Sequence, residues 1–258
     1  MKVDLISSIK NRAFMPYKKP DIQRHQVHFG AQDVFIRQKS EIQKQQEIEL
    51  LNSYDIAIKA LMTALNDKNP YTYNHCLRVG LYTAILAREL GVSEDKVENI
   101  EKVGLLHDIG KLTIPNEILY KEGKLTPEEF EIIKTHPNSS VTLIHGLKDS
   151  EQIALGVKYH HERWDGRGYP IGLDGKNIPY SARIVSIADT YDAMTSMRPY
   201  RDALSHKTAI EEIEKCAGKQ FDPSIAGKFL DIENIISEAR INPKEHFEQY
   251  STISERIR

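Results

Sequence analysis

The spacing of apolar residues is helical from about residue 47 onward. In the first such segment, apolar side chains recur mainly three to five residues apart, at Ile48, Leu51, Ile56, Ala60, Leu61 and Leu65. This stripe is typical of a helix that packs one face against a core. Asn69-Pro70 interrupts the pattern. A second helix is predicted from about Thr72 to Leu90, with Gly91 ending it.

Helix start signals predict two further helices in the middle of the chain. Ser93 is expected to cap a third helix that reaches Asp108. The segment Thr126-Pro127-Glu128-Glu129 combines a capping hydroxyl, a proline and a glutamate three residues after the cap. This combination favours a helix start, and we expect the helix to continue past His136, although Pro137 could kink it or sit at a junction.

The C-terminal half is also predicted to be helical, apart from one long loop. A helix should open at Asp149-Ser150 and end at His160-His161, and the glycine-rich residues 162–179 should form the loop. No segment alternates with period two. The remaining helices are expected at about 181–195, 205–217, 223–238 and after Pro243. The predicted fold class is therefore all-α, with the glycine-rich loop as its main irregular element.

Residues 1–45 differ from the rest of the chain. Their apolar residues are sparse, while lysine, arginine and glutamine are frequent. We interpret this segment as an N-terminal extension, partly disordered and entering a helix near Ser40. The main domain is then expected to cover residues 46–258. The helix at about residues 40–66 is a candidate dimerisation element, so a homodimer is one expected assembly.

Composition narrows the expected partners. The chain has 258 residues, 40% of them apolar, and a formal net charge of -2. This charge gives no general affinity for a nucleic acid polymer. No apolar run reaches the length of a membrane helix, so we expect no membrane partner. Cys76 and Cys216 are the two cysteines, and such sparse cysteine use favours a reducing cytoplasm.

Histidines and carboxylates supply the candidate chemistry. His107-Asp108 comes just before Gly110, and His160-His161 comes just before the long loop. Asp189 stands in an apolar segment, where a carboxylate is costly to bury without a cation. Each residue alone is more often structural or solvated than functional. The set as a whole predicts a two-metal site, with these candidate ligands: His75, His107, Asp108, His136, His160, His161 and Asp189.

The chain resembles the HD-GYP family, a branch of the HD superfamily of metal-dependent phosphohydrolases. The resemblance covers roughly residues 55–235. The matching segments are His107-Asp108-Ile109-Gly110-Lys111, His160-His161-Glu162, Asp165-Gly166, Gly168-Tyr169-Pro170, Ala188-Asp189, Arg198-Pro199-Tyr200-Arg201 and Phe221-Asp222-Pro223. An HD-superfamily helical bundle is the fold that this resemblance implies.

The family pattern implies a role for each matching residue. One metal would be held by His75, His107, Asp108 and Asp189, and the second by His136, His160 and His161, with Asp108 bridging both ions. Lys111 would contact substrate phosphate, and Arg198 and Arg201 would grip phosphate or guanine. Tyr169 belongs to the loop that names the family and would lie near the substrate or a partner protein. Some relatives bind a third metal through a glutamate at the position that Tyr71 occupies here. A tyrosine does not easily replace that carboxylate, so the resemblance favours two metals over three.

The implied activity is hydrolysis of the bacterial second messenger cyclic di-GMP to pGpG, GMP or both, through a hydroxide activated by two ions. Five imidazoles disfavour magnesium and calcium, and the resemblance favours iron or manganese. A diguanylate cyclase or another signalling protein is an expected partner. Two alternatives stay open: another two-metal reaction, by a nucleotide phosphohydrolase or a di-iron enzyme, and a non-catalytic adaptor that binds a cyclic dinucleotide or a cyclase.

Overall fold

The computed structural model describes residues 31–147, 149–197 and 202–253. These residues form α-helices and two short 3-10 turns, and none of them belongs to a β-strand, so the all-α prediction is confirmed. The helices are α1 (Ala31–Lys68), α2 (Pro70–Glu89), α3 (Glu94–Leu106), α4 (Asn116–Leu119), α5 (Pro127–Ile133), α6 (His136–Ile144), α7 (Ser150–Tyr159), α8 (Tyr180–Thr195), α9 (His206–Cys216), α10 (Pro223–Asp231), α11 (Glu233–Ile241) and α12 (Pro243–Tyr250).

The chain divides into two compact units, Met1–Gln46 and Glu47–Arg258. In the first unit, the described residues are the N-terminal part of α1. The expected helix start near Ser40 is wrong, because α1 begins at Ala31. Glutamine, lysine and glutamate have high helix propensity, so a helix forms there without an apolar period. Within the described residues, no helix combines the length and apolar character needed to cross a bilayer.

The core of the second unit surrounds α2, which packs against α3 and α8. Two glycines bring α2 and α3 unusually close together. A Cβ atom on Gly104 would lie 2.6 Å from the Thr83 hydroxyl oxygen and 2.9 Å from the Gly80 Cα. Only glycine therefore fits at this crossing. The close packing sets His75 of α2 beside His107, which directly follows α3, with ring centroids 5.2 Å apart.

The segment around His136 corrects one prediction. The capping box at Thr126 is confirmed, since its side chain and that of Glu129 cap each other's backbone amides. The expected continuation of this helix past His136 is wrong, whereas the alternative of a junction at Pro137 is confirmed. Helix α5 ends at Ile133, and α6 begins at His136 with Pro137 in its first turn. Proline lacks the amide that a helix interior needs but suits a first turn, so His136 stands at a helix start.

Two helix boundaries also differ from the expectations. Helix α3 ends at Leu106, because Asp108 leaves the helical region with φ -103° and ψ 4°. Ser93 occupies the N-cap position, but its hydroxyl makes no capping hydrogen bond. The single helix expected over 223–238 is two helices, α10 and α11, divided at Ile232. Neither glycine nor proline marks that division in the sequence.

Gly110 lies in the 3-10 turn Ile109–Thr113 where this turn packs against α6. A Cβ atom there would lie 2.1 Å from the His136 carbonyl oxygen and 2.5 Å from the Ser140 backbone nitrogen. We predict that Gly110→Ala lowers the free energy of unfolding by about 1–3 kcal/mol, the usual cost of overpacking. Urea denaturation followed by circular dichroism measures this change.

Gly227 provides the matched control, because nothing lies within 4 Å of the Cβ position on this residue of α10. Gly227→Ala should raise the free energy of unfolding by about 0.5–1 kcal/mol, since alanine favours a helix interior more than glycine does. Equal unfolding midpoints for Gly110→Ala and the unsubstituted protein would contradict the packing described for the turn.

Candidate metal centre

Helix ends position three histidines of the centre. His107 follows α3, His136 opens α6 and His160 follows α7. In each ring, Nδ1 lies 2.6–2.8 Å from the backbone carbonyl oxygen of the residue three positions earlier. Because a carbonyl oxygen only accepts hydrogen bonds, Nδ1 carries the proton in each ring. The Nε2 lone pair is then left available to a metal ion.

The available Nε2 atoms meet in a buried space. His136 Nε2 lies 3.4 Å from His160 Nε2. Because the Nδ1 atom of each ring carries the proton, both Nε2 atoms are acceptors and cannot form a hydrogen bond with each other. His107 Nε2 and Asp108 Oδ1 are buried without a hydrogen-bond partner in the described part of the chain. Unpartnered buried acceptors are costly, and a shared cation removes that cost. The donor set therefore fits metal ions.

Asp108 faces the centre with both carboxylate oxygens. Oδ1 lies 3.2 Å from His136 Nε2, whereas Oδ2 lies 3.4 Å from His107 Nε2 and 3.7 Å from His75 Nε2. The two oxygens thus point toward different histidines. This arrangement is the one that a carboxylate needs in order to bridge two ions.

All seven residues predicted as ligands come together in the structure. Their ligand atoms form two groups, and within each group every pair of ligand atoms lies within 4.8 Å. The first group is Asp108, His136, His160 and His161, and the second is His75, His107 and Asp189. The centre therefore could hold metal ions, and Asp108 approaches both groups.

Cys76 lies near the second group but is better explained by packing. Its side chain is fully buried in the core, and Sγ can approach His107 and Asp108. Burial raises the pKa of the Cys76 thiol well above its usual value. A protonated thiol behaves as a small apolar side chain, which suits the core position of Cys76. This agrees with the expectation that Cys76 is a packing residue.

Lys111 contacts the shared carboxylate. Its Nζ lies 2.5 Å from Asp108 Oδ2, one helical turn away. Burial alone would lower the pKa of Lys111, but the charge of Asp108 outweighs it and raises the pKa. Burial alone would raise the pKa of Asp108, but Lys111 and His107 hold it well below its usual value. Lys111 is therefore a permanent positive charge at the centre.

Asp192 is a component of the centre that the sequence analysis missed. Its Oδ2 lies 2.7 Å from His75 Nδ1, and Arg78 binds it through Nε at 2.6 Å and Nη2 at 2.9 Å. Asp192 therefore directs His75 Nε2 toward Asp189 Oδ1, 3.1 Å away. The missed signal was spacing: Arg78 and Asp192 each lie three residues after a predicted ligand, on the same helix face.

The two ligand groups differ in electrostatics. Burial alone would lower the pKa of His75, but hydrogen bonds with Asp189 and Asp192 outweigh it and raise the pKa to about 9. Burial lowers the pKa of His161 to about 3, and burial with neighbouring imidazoles lowers that of His160. The carboxylates thus stabilise positive charge at His75, where an ion bound to Nε2 would replace the ring proton, while His160 and His161 are neutral, as metal ligands must be.

The glycine-rich loop packs directly on His161. The ring of Tyr169 stacks on the His161 ring with centroids 4.7 Å apart. The backbone amide of Tyr169 also donates a hydrogen bond to the His161 carbonyl oxygen. Glu162 Oε1 accepts hydrogen bonds from the amides of Ile171 and Gly172 at 2.9 and 3.1 Å. Tyr169 therefore lines the cleft beside the centre. Arg198 and Arg201, the other predicted substrate contacts, lie outside the described residues.

Comparison with known proteins identifies the family. The sequence profile of the HD domain family matches residues 59–225, more than half of the chain, and the chain belongs to this family. A cyclic di-GMP phosphodiesterase of Thermotoga maritima is 34% identical over 252 residues, covering 95% of this chain and 65% of that protein. A probable cyclic di-GMP phosphodiesterase of Vibrio cholerae is 34% identical over 241 residues, covering 84% of this chain and 53% of that protein. The resemblance to the HD-GYP branch is confirmed.

A solved structure shares the fold. The crystal structure of a cyclic GMP-AMP specific phosphodiesterase of Vibrio cholerae matches with a TM-score of 0.53 and 22% identity, covering 79% of this chain and 52% of that chain. The chain spans less than two thirds of the length of either curated relative.

Asp192 provides a test of how His75 is oriented. We predict that Asp192→Asn weakens binding of a divalent ion about 10- to 100-fold, the usual effect of losing a partner that orients a ligand histidine. Competition with a chelating dye measures the affinity. Asp231→Asn is the matched control, because the Asp231 side chain is 71% exposed on α10. Unchanged metal affinity in Asp192→Asn would show that His75 does not depend on this contact.

Proposed function

We propose that this chain is a metal-dependent phosphodiesterase that hydrolyses cyclic di-GMP to pGpG, GMP or both. The observation that carries the proposal is the pair of ligand groups approached by the two oxygens of Asp108. These residues would hold two ions, which would supply the charge stabilisation that an in-line displacement at phosphorus needs. The curated relatives named as cyclic di-GMP phosphodiesterases support the same reaction and substrate.

The residues of the chain have distinct proposed roles. His75, His107, Asp108 and Asp189 would hold one ion, and His136, His160 and His161 would hold the other with Asp108. When bound, the ions supply Lewis acidity and lower the pKa of water. Lys111 keeps Asp108 ionised and offers its remaining donors to phosphate oxygens. Tyr169 holds His161 by stacking and closes one side of the cleft.

We propose iron or manganese as the metal, with two ions per chain. Five imidazoles and two carboxylates suit these ions better than magnesium or calcium, which prefer oxygen ligands. Tyr71 supports two ions over three, because it offers a phenol rather than a carboxylate. Its ring lies parallel to that of His75, with centroids 6.5 Å apart.

The domain bounds, the compartment, the partner protein and the assembly are also proposed. We propose that residues 46–258 form the HD-GYP domain, that residues 1–45 are an extension, and that the protein acts in the cytoplasm. A diguanylate cyclase or another signalling protein is the proposed partner, and a homodimer the proposed assembly. The absence of a membrane-spanning helix among the described residues is compatible with that compartment.

Substitution of the central dipeptide tests the proposed function. We predict that His107→Ala and Asp108→Ala each reduce hydrolysis of cyclic di-GMP by at least about a thousandfold, because each removes a ligand of the ions that activate water. Chromatography of the products measures the turnover. The control is His246→Ala, which alters a partly exposed histidine of α12 far along the chain from every proposed ligand.

The same chromatography separates the alternatives when related cyclic dinucleotides and simple phosphate monoesters are included. Formation of pGpG or GMP from cyclic di-GMP supports the proposal. Preferential release of phosphate from monoesters would favour a different nucleotide phosphohydrolase. Binding of cyclic di-GMP without any product would favour the adaptor, and retained hydrolysis in His107→Ala would contradict the proposed centre.

A further inference from the structure

A cleft of about 410 Å³ opens beside the metal centre. His160, His161 and Asp189 lie at it, together with Tyr169. Its volume falls within the range of roughly 300–1,000 Å³ that is usual for small-molecule sites. The lining residues without a role in the centre described so far include Phe130, Lys134, Arg163, Arg167, Thr190 and Gln220.

Three of these residues form a fixed wall. Arg163 binds Asp165 with two hydrogen bonds of 3.0 and 2.7 Å and donates a third to Gln220 Oε1 at 3.1 Å. Gln220 Nε2 in turn donates to the Thr190 hydroxyl at 3.2 Å. The guanidinium of Arg163 is therefore already occupied by protein partners. Its role in the cleft is to hold the wall in place.

Two other cations are available to a ligand. Arg167 is exposed in the loop, and its guanidinium pairs with no carboxylate in the described part of the chain. Lys134 caps the C-terminus of α5, and its Nζ lies 2.5 Å from Glu131 Oε1. The Glu131 side chain is 69% exposed, and such surface pairs contribute little. Both cations can therefore turn to an anion in the cleft.

Phe130 adds an aromatic face beside these cations. Its side chain is 47% exposed although it is large and apolar, and it lines the cleft one helical turn before Lys134. The Lys134 ammonium lies 5.4 Å from the centroid of its ring. An exposed aromatic ring next to cations that can turn to a ligand is the combination that stacks a nucleobase and neutralises its phosphate.

We propose that Phe130, Lys134 and Arg167 form a subsite for the distal nucleotide of a cyclic dinucleotide. The phosphodiester being cleaved lies at the ligand groups, while Phe130 stacks on the distal purine and the two cations neutralise the second phosphate. This inference rests on the proposed phosphodiesterase function and names residues that select a dinucleotide over a smaller phosphodiester.

Two substrates of different size test the subsite. Phe130→Ala and the double variant Lys134→Gln/Arg167→Gln should each lower kcat/KM for cyclic di-GMP about tenfold, the scale of one lost base stack. Their kcat/KM for bis(p-nitrophenyl) phosphate, which has a single phosphate, should stay within about twofold of the unsubstituted protein. Equilibrium binding of cyclic di-GMP to chelator-treated protein, which needs no turnover, should weaken by a similar factor.

Matched controls lie on the same elements. Ile132→Ala removes another exposed apolar side chain of α5, and Lys176→Gln removes another exposed cation of the loop; neither lines the cleft. Both controls should hydrolyse the two substrates normally. Unchanged kcat/KM for cyclic di-GMP in the subsite variants, or equal losses on both substrates, would overturn the subsite. Failure of the unsubstituted protein to cleave cyclic di-GMP would instead overturn the proposed function.

Discussion

The centre depends on one carboxylate being placed between two sets of imidazoles. Asp108 lies just beyond α3, where the chain leaves the helix, so its side chain reaches the His136 side with one oxygen and the His107 side with the other. A buried carboxylate in this position is stable only beside positive charge. Lys111 supplies part of that charge, and the geometry of the remaining ligands suits metal ions for the rest.

Helix ends place three of the histidines around Asp108. His107, His136 and His160 each lie at a helix terminus, where the side chain can turn back to a carbonyl oxygen three residues earlier. That hydrogen bond fixes both the ring orientation and its tautomer before any ion binds. His75 lies inside α2 and has no such carbonyl, so Asp192 and Arg78 orient it instead. Preorganised ligands lose little entropy when an ion binds.

The sequence predicted the helical class and named the seven residues that the structure brings together, because residue type and motif spacing are local information. It did not predict the partners that orient them. Asp192 and Arg78 are 114 residues apart, and their contact depends on how α2 packs against α8. Likewise, proline at 137 marked the α5–α6 boundary only ambiguously, and nothing marked the division at Ile232. The cleft residues Phe130 and Arg167 belong to no motif, so only the tertiary structure brings them together.

The count of ions per chain tests the central claim about Asp108 most directly. Protein purified without oxygen can be analysed by inductively coupled plasma mass spectrometry, with Asp108→Ala prepared in parallel. We predict about two iron or manganese ions per chain in the unsubstituted protein, because Asp108 completes both ligand groups. The variant should lose ions from both positions. A single ion in the unsubstituted protein, or full occupancy in Asp108→Ala, would contradict the bridging role of this carboxylate.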